Sequence, residues 1–135
     1  MMPPWSGEHL TLDEALALLD AYKLRAARGQ ADVRRYAGSA QGQPVFCLGT
    51  GPSLLTEDAS GLEGCHVVCT NHAHRFLRGT RVASRWHVVT DNTRAGELLG
   101  ELEAEPGPTF TAPNRLTPEW MALAARHPGV HVLWS

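Results

Sequence analysis

The stretch "VFCLGTGPSL", residues 45–54, decides how the rest of the chain is read. Four strand-forming residues run into Gly49, Thr50, Gly51, Pro52 and Ser53, a turn almost free of bulk. Gly49 and Gly51 are able to take positive φ and leave room for a ligand oxygen to approach the main chain. Pro52 suits the first position of a helix, where its missing N–H is not needed. Ser53 follows with an amide and a hydroxyl, at a helix end that carries partial positive charge and unpaired donors. The expectation is a strand, a tight turn and a helix start that together seat a negatively charged oxygen.

Outward from that turn the pattern repeats. Candidate strands are "VFCLG" (45–49), "HVVCT" (66–70), "RWHVVT" (85–90), "TFTA" (109–112) and "VHVLW" (130–134). Helical pieces lie between them, of which "TRAGELLGELEAE" and "TPEWMALAARH" are the clearest; in the second, Thr117 and Pro118 give an N-cap with proline at N1. Strands alternating with helices at this spacing imply parallel pairing with right-handed crossovers. Because the strands are apolar on both faces, the sheet is expected to be covered on two sides. The fold expected is a Rossmann-like three-layer α/β/α domain with a mainly parallel sheet of about five strands, occupying residues 44–135.

Residues 1–43 are expected to form an N-terminal amphipathic helix and a linker packed on that domain. In "TLDEALALLDAYKLRAAR" (11–28), Thr11 and Glu14 have capping-box spacing. Leu12, Leu16, Leu19, Tyr22 or Lys23, and Ala26 recur at helical period as one apolar face. Lys23, Arg25 and Arg28 suit the negative end of the dipole, and Gly29 reads as the stop.

Three better-known glycine-rich signatures nearly fit residues 49–55, and each fails at a residue. A P-loop needs Lys-Ser or Lys-Thr, which does not follow. A dinucleotide fingerprint needs a small residue where Leu54 stands and an acid near the end of the second strand, where Thr70 and Asn71 occur. A hydrolase elbow needs glycine at Leu55. A tight turn that binds nothing is the plain alternative.

In parallel sheets ligands sit beyond the carboxyl ends of the strands, near the point where strand order reverses. The residues leaving those ends are Gly49 to Ser53, then Asn71, Asp91 with Asn92, and Asn114 with Arg115. In this order, "GTGPSL", "VVCTNHAHRFL" and "WHVVTD" resemble a pattern shared by the MptE-like (6-hydroxymethylpterin diphosphokinase-like) family and the bacterial CMP-sialic-acid-dependent sialyltransferases. The first group includes motility-associated glycosyltransferase-like proteins. The resemblance covers about residues 44–92. It implies that Gly51, Ser53, Asn71 and Asp91 hold a nucleotide, with Gly49 and Thr50 in the same turn; Thr50 departs from the asparagine often found there. The downstream half of those families, which carries the acceptor site and in the sialyltransferases a histidine base, has no match before the chain ends at "HVLWS". A truncated product, a degenerate binder and a minimal member all remain open on that pattern.

The function expected is thus a nucleotide-binding, transferase-like domain of glycosyltransferase type, with a nucleotide or nucleotide-sugar as partner. The alternatives are pyrophosphoryl transfer from ATP to a pterin and a non-catalytic binding or assembly module. His72 and His74 are the candidate bases, set against solvated histidines on a surface helix. Asp91 is a candidate ligand for Mg²⁺ beside a pyrophosphate, set against an N-cap role for the helix from Thr93. Arg115 is able to fork onto a phosphate but also fits an ordinary loop. Cys65, His66, Cys69, His72 and His74 crowd as zinc ligands do, but Cys65 and Cys69 bracket a strand, which favours buried thiols. Trp86 and Trp134 lie in strands and read as core.

Bulk properties narrow the classes. A formal net charge of -2 and the lack of a basic stripe argue against a nucleic-acid partner. Three cysteines, an odd number within apolar surroundings, suit reduced thiols. No leader pattern opens the chain and no apolar run approaches ~20 residues, so a cytoplasmic protein without a membrane span is expected.

Overall fold

The computed structural model describes residues 10–51 and 58–134. Helix α1 spans Leu12–Val33, followed by strands β1 (Val45–Leu48), β2 (His66–Thr70) and β3 (Ser84–Val89). Helix α2 (Asn92–Glu103), strand β4 (Thr109–Thr111), helix α3 (Pro118–Ala125) and strand β5 (His131–Val132) complete the order. Short 3-10 segments at Ala59–Leu62 and Asn71–Leu77 stand in two of the crossovers. All four strand pairs are parallel, which makes this an α/β fold around a five-stranded sheet.

The helix starts are fixed locally. Thr11 and Glu14 form a reciprocal capping box at α1. Thr117 accepts from the Trp120 amide at 3.0 Å with Pro118 at the first helical position. Asp91 caps α2. At the carboxyl edge, threonine hydroxyls close strand carbonyls: Thr70 donates to the Leu48 carbonyl at 2.9 Å and Thr111 to that of Val89 at 2.7 Å.

Strand order is β1-β2-β3-β4-β5, so the expected reversal does not occur among the described strands. Each crossover steps the same way, and right-handed crossovers then all lie on one face. The register agrees. Cys69 pairs with His87, Val89 with Thr111, and Thr111 with Val132, so these side chains share one face. Val67 and Cys69 pack there with Ala73 and Leu77. Val89 packs with Ala95, Leu98, Leu99 and Leu102 of α2, and Val132 with Trp120 and Ala124 of α3. On the second face Tyr36 covers Phe110 and His131 through edge contacts, while Val68, Trp86 and Val88 are only half-buried. Tyr36 is thus the cover identified there among the described residues, where a second helical layer was expected.

Helix α1 departs from its sequence pattern. Leu12, Leu16 and Leu19 are exposed, and burial begins at Tyr22, Ala26 and Gly29. Gly29 does not end the helix, which runs on to Val33. A Cβ there would sit 1.8 Å from the Val132 carbonyl oxygen. The Leu133 amide bonds inward to Thr111, so the Val132 carbonyl points the other way, to the outer edge of β5. Glycine lets α1 lie against that edge. Arg25 serves a neighbour rather than its own helix: its guanidinium donates to the carbonyls of Ala124, His127 and Val130 at 2.9–3.0 Å, satisfying the end of α3 and the approach to β5.

Candidate functional site at the carboxyl edge

Register brings three strand ends together. Leu48 lies beside Cys69 and Thr70 beside Val88, so Gly49, Asn71 and the residues after Val89 leave one edge on adjacent strands. Of the turn, Gly49, Thr50 and Gly51 are exposed. Ser53 and the expected helix start at Pro52 lie outside the described residues. Gly49 does not use a left-handed backbone, and a Cβ there would meet nothing within 4 Å. What glycine leaves at position 49 is open space, not a special conformation.

Asn71 is the distinctive residue. It has φ 48, the one non-glycine residue among those described with positive φ. Asparagine tolerates that region better than most side chains. Its carboxamide Oδ1 is buried and has no hydrogen-bond partner among the described residues. An acceptor buried without a donor costs about 1–3 kcal/mol.

Asp91, one strand further, is half-buried. Its Oδ1 accepts from the Thr93 amide at 3.0 Å and the Thr93 hydroxyl at 2.7 Å, and these bonds hold its carboxyl below the usual aspartate range. It is a helix cap, and both bonds engage Oδ1. Asn92 ties the next loop to this edge: its amide donates to the Arg115 carbonyl at 2.6 Å and its oxygen accepts from the Asn114 amide at 3.1 Å. That clamp was not read from the sequence, where Asn92 looked only like a companion of Asp91.

The two candidate bases are engaged. Arg94 donates to Nδ1 of His72 at 2.9 Å, so that nitrogen is an acceptor and the ring proton sits on Nε2. His74 is 1% exposed, which overturns the picture of two solvated histidines. Its Nε2 lies 2.7 Å from Glu101 and its Nδ1 3.3 Å from the Asn71 carbonyl. Arg75 grips the same Glu101 with two nitrogens, at 2.7 and 2.9 Å, and reaches Glu97 at 2.9 Å. This network fastens segment 71–77, and with it the strained Asn71, to α2. No spacing pattern reveals it, because its ties to α2 join residues more than 20 apart.

The crowded cysteine and histidine stretch is dispersed by the strand's two-residue period. Cys69 is fully buried on the helical face, where burial pushes its thiol up to about 11. His66 faces the other way, bonded to Ser84 and Gln43 and stacked near Trp86. Among the described residues no group of three or more His, Cys, Asp or Glu is arranged to hold a metal ion. None of their helices is long and apolar enough to cross a membrane. Trp86 is half-buried, and Trp134 is 48% exposed against Tyr22, so neither is a fully buried core residue. A cavity of about 610 Å³ opens at the opposite, amino edge, between Tyr36, Ser84, Trp86 and Pro106 to Pro108.

Comparison with known proteins finds no matching family model, no matching curated protein and no matching solved structure.

Proposed function

We propose that the carboxyl edge of β1, β2 and β3 binds a nucleotide or nucleotide-sugar, in a Rossmann-like domain of glycosyltransferase type. The observation that carries this reading is Asn71, held at positive φ with a buried acceptor that finds no donor among the described residues. A ribose hydroxyl or a base amino group supplies that donor. Main-chain amides from Gly49 onward would take the phosphates, and Asp91 Oδ2 a second hydroxyl. Three adjacent strands span roughly 10 Å, about the length of a nucleoside monophosphate. Catalysis on this reading is positioning and charge stabilisation.

The engaged state of His72 and His74 favours a second reading, a module that keeps the nucleotide seat without turnover. Pterin pyrophosphorylation from ATP is the third, and it would require Mg²⁺ at Asp91.

Thermal-shift measurements with CMP, UDP, GDP, ATP, NAD and S-adenosylmethionine, with and without Mg²⁺, test the site. CMP or UDP is expected to raise Tm. Asn71→Gly relieves the backbone and should leave the unliganded Tm at or above the wild-type value while abolishing the ligand's shift. A magnesium-dependent ATP response would favour the diphosphokinase. No response to any nucleotide, or an equal response in Asn71→Gly, would remove the proposal.

A further inference from the structure

The sheet's two edges are treated differently. At β5 the outer main chain is closed off by α1, with Gly29 against Val132. At β1, Val45 is 42% exposed, Phe46 43% exposed, and Cys47 is exposed as well. Val45–Leu48 contains neither charge nor proline, two of the devices by which edge strands avoid new partners. The Leu48 carbonyl faces β2, where it takes the Thr70 hydroxyl. Alternation along the strand then turns the N–H and C=O groups of Val45 and Cys47 outward.

Among the described residues these main-chain groups have no strand partner, and such an array fits another strand. A second copy of this chain meets the requirement by symmetry. A two-fold axis perpendicular to β1 sets two copies antiparallel, with Val45 opposite Cys47 of the second copy and both N–H···O bonds exchanged at each such pair. A two-fold axis along the strand would set identical residues level, without the stagger that a parallel ladder needs. With β1 uncharged, the pairing brings no like charges together. Phe46 falls on the axis as a close non-hydrogen-bonded pair, so two half-exposed rings cover each other.

We propose that this chain forms a two-fold dimer through antiparallel β1–β1 pairing, which joins two five-stranded sheets into one of ten. The proposal does not depend on the nucleotide reading, since β1's edge and its carboxyl end are different surfaces.

Sedimentation equilibrium over a concentration series tests it, and wild type should show a monomer–dimer equilibrium. Cys47→Pro removes one outward donor without touching the β1–β2 ladder. It should keep the wild-type circular dichroism and raise the dimer dissociation constant at least about tenfold, since each lost hydrogen bond is worth about 1 kcal/mol. Phe46→Cys in a Cys47→Ser background gives an independent reading if the proline variant folds poorly. Mild oxidation should yield a disulfide-linked dimer, because a non-hydrogen-bonded cross-strand pair meets disulfide geometry. A wild-type chain that stays monomeric throughout would overturn the proposal, and so would a dimer that neither substitution affects or cross-links.

Discussion

Three buried side-chain atoms lack a hydrogen-bond partner among the described residues, Asn71 Oδ1, Arg85 Nε and His87 Nδ1, and the first and last differ in their surroundings. Asn71 Oδ1 belongs to the residue that leaves β2 at the carboxyl edge, next to the strand that runs into the exposed Gly49–Gly51 turn. His87 Nδ1 sits in the core. The ring is 0% exposed, and Nε2 donates to the Pro106 carbonyl at 3.0 Å, which leaves Nδ1 with its lone pair and no donor. Burial therefore holds His87 below the ordinary histidine value, against a smaller opposing effect of the Pro106 bond. An unfolded chain takes up this proton near pH 6.5, whereas the folded one resists it. The stability that His87 contributes is thus complete above about pH 6.5 and is lost as pH falls below it. Urea melts at pH 7 and 5.5 should show a larger loss for wild type than for His87→Gln, which keeps a donor for Pro106 and does not titrate. Equal losses in the two proteins would contradict the assignment.

Between elements, the tie from segment 71–77 to α2 converges on Glu101. The Arg75 guanidinium, and after it the His74 ring, holds the Glu101 carboxyl down at about 2. A carboxyl held low stabilises the fold above the ordinary glutamate range, near pH 4.3, and that contribution disappears as pH falls toward 2. Glu101→Gln should cost about 2 kcal/mol at neutral pH, because it leaves buried His74 without its carboxylate and half-buried Arg75 with Glu97 alone. The difference from wild type should shrink below pH 4 in denaturant titrations; a constant difference would point to packing instead. Gly29 sets α1 directly against the Val132 carbonyl, so Gly29→Ala should destabilise by about 3 kcal/mol. Hydrogen exchange should accelerate along α1 in that variant, whereas an unchanged melt would show that the helix shifts at little cost.

At the scale of the whole molecule, the one-way strand order gathers the crossovers on one face and leaves β1 as an edge. The candidate site therefore lies at the end of an edge strand rather than in a crevice between two halves of a sheet. Much of the local structure was legible in advance. The apolar runs that became β2 and β3, the Thr11–Glu14 box and the Thr117–Pro118 start are short-range signals, set by strand-forming residues and by amides that need a nearby acceptor. The polar residues leaving the strand ends were legible too, because in parallel strands the carboxyl ends share an edge.

Other features needed the folded chain. Gly29 looked like a stop because a glycine's tolerance of a close neighbour cannot be told locally from its freedom at a helix end. The leucines of α1 promised a buried face, but burial depends on what the opposite surface offers, and α1 meets β5 and α3 only from Tyr22 onward. His74 looked available because sequence spacing does not show that Glu101 and Arg75 close over it. Sequence by itself determined the strands, the helix caps and the edge to which the polar residues go, since those follow from chain geometry within a few residues. Tertiary structure alone decided the order of the strands, the engagement of both histidines and, among the described residues, the open β1 edge and the unpaired oxygen of Asn71. These depend on contacts between segments far apart in the chain, which no local pattern records.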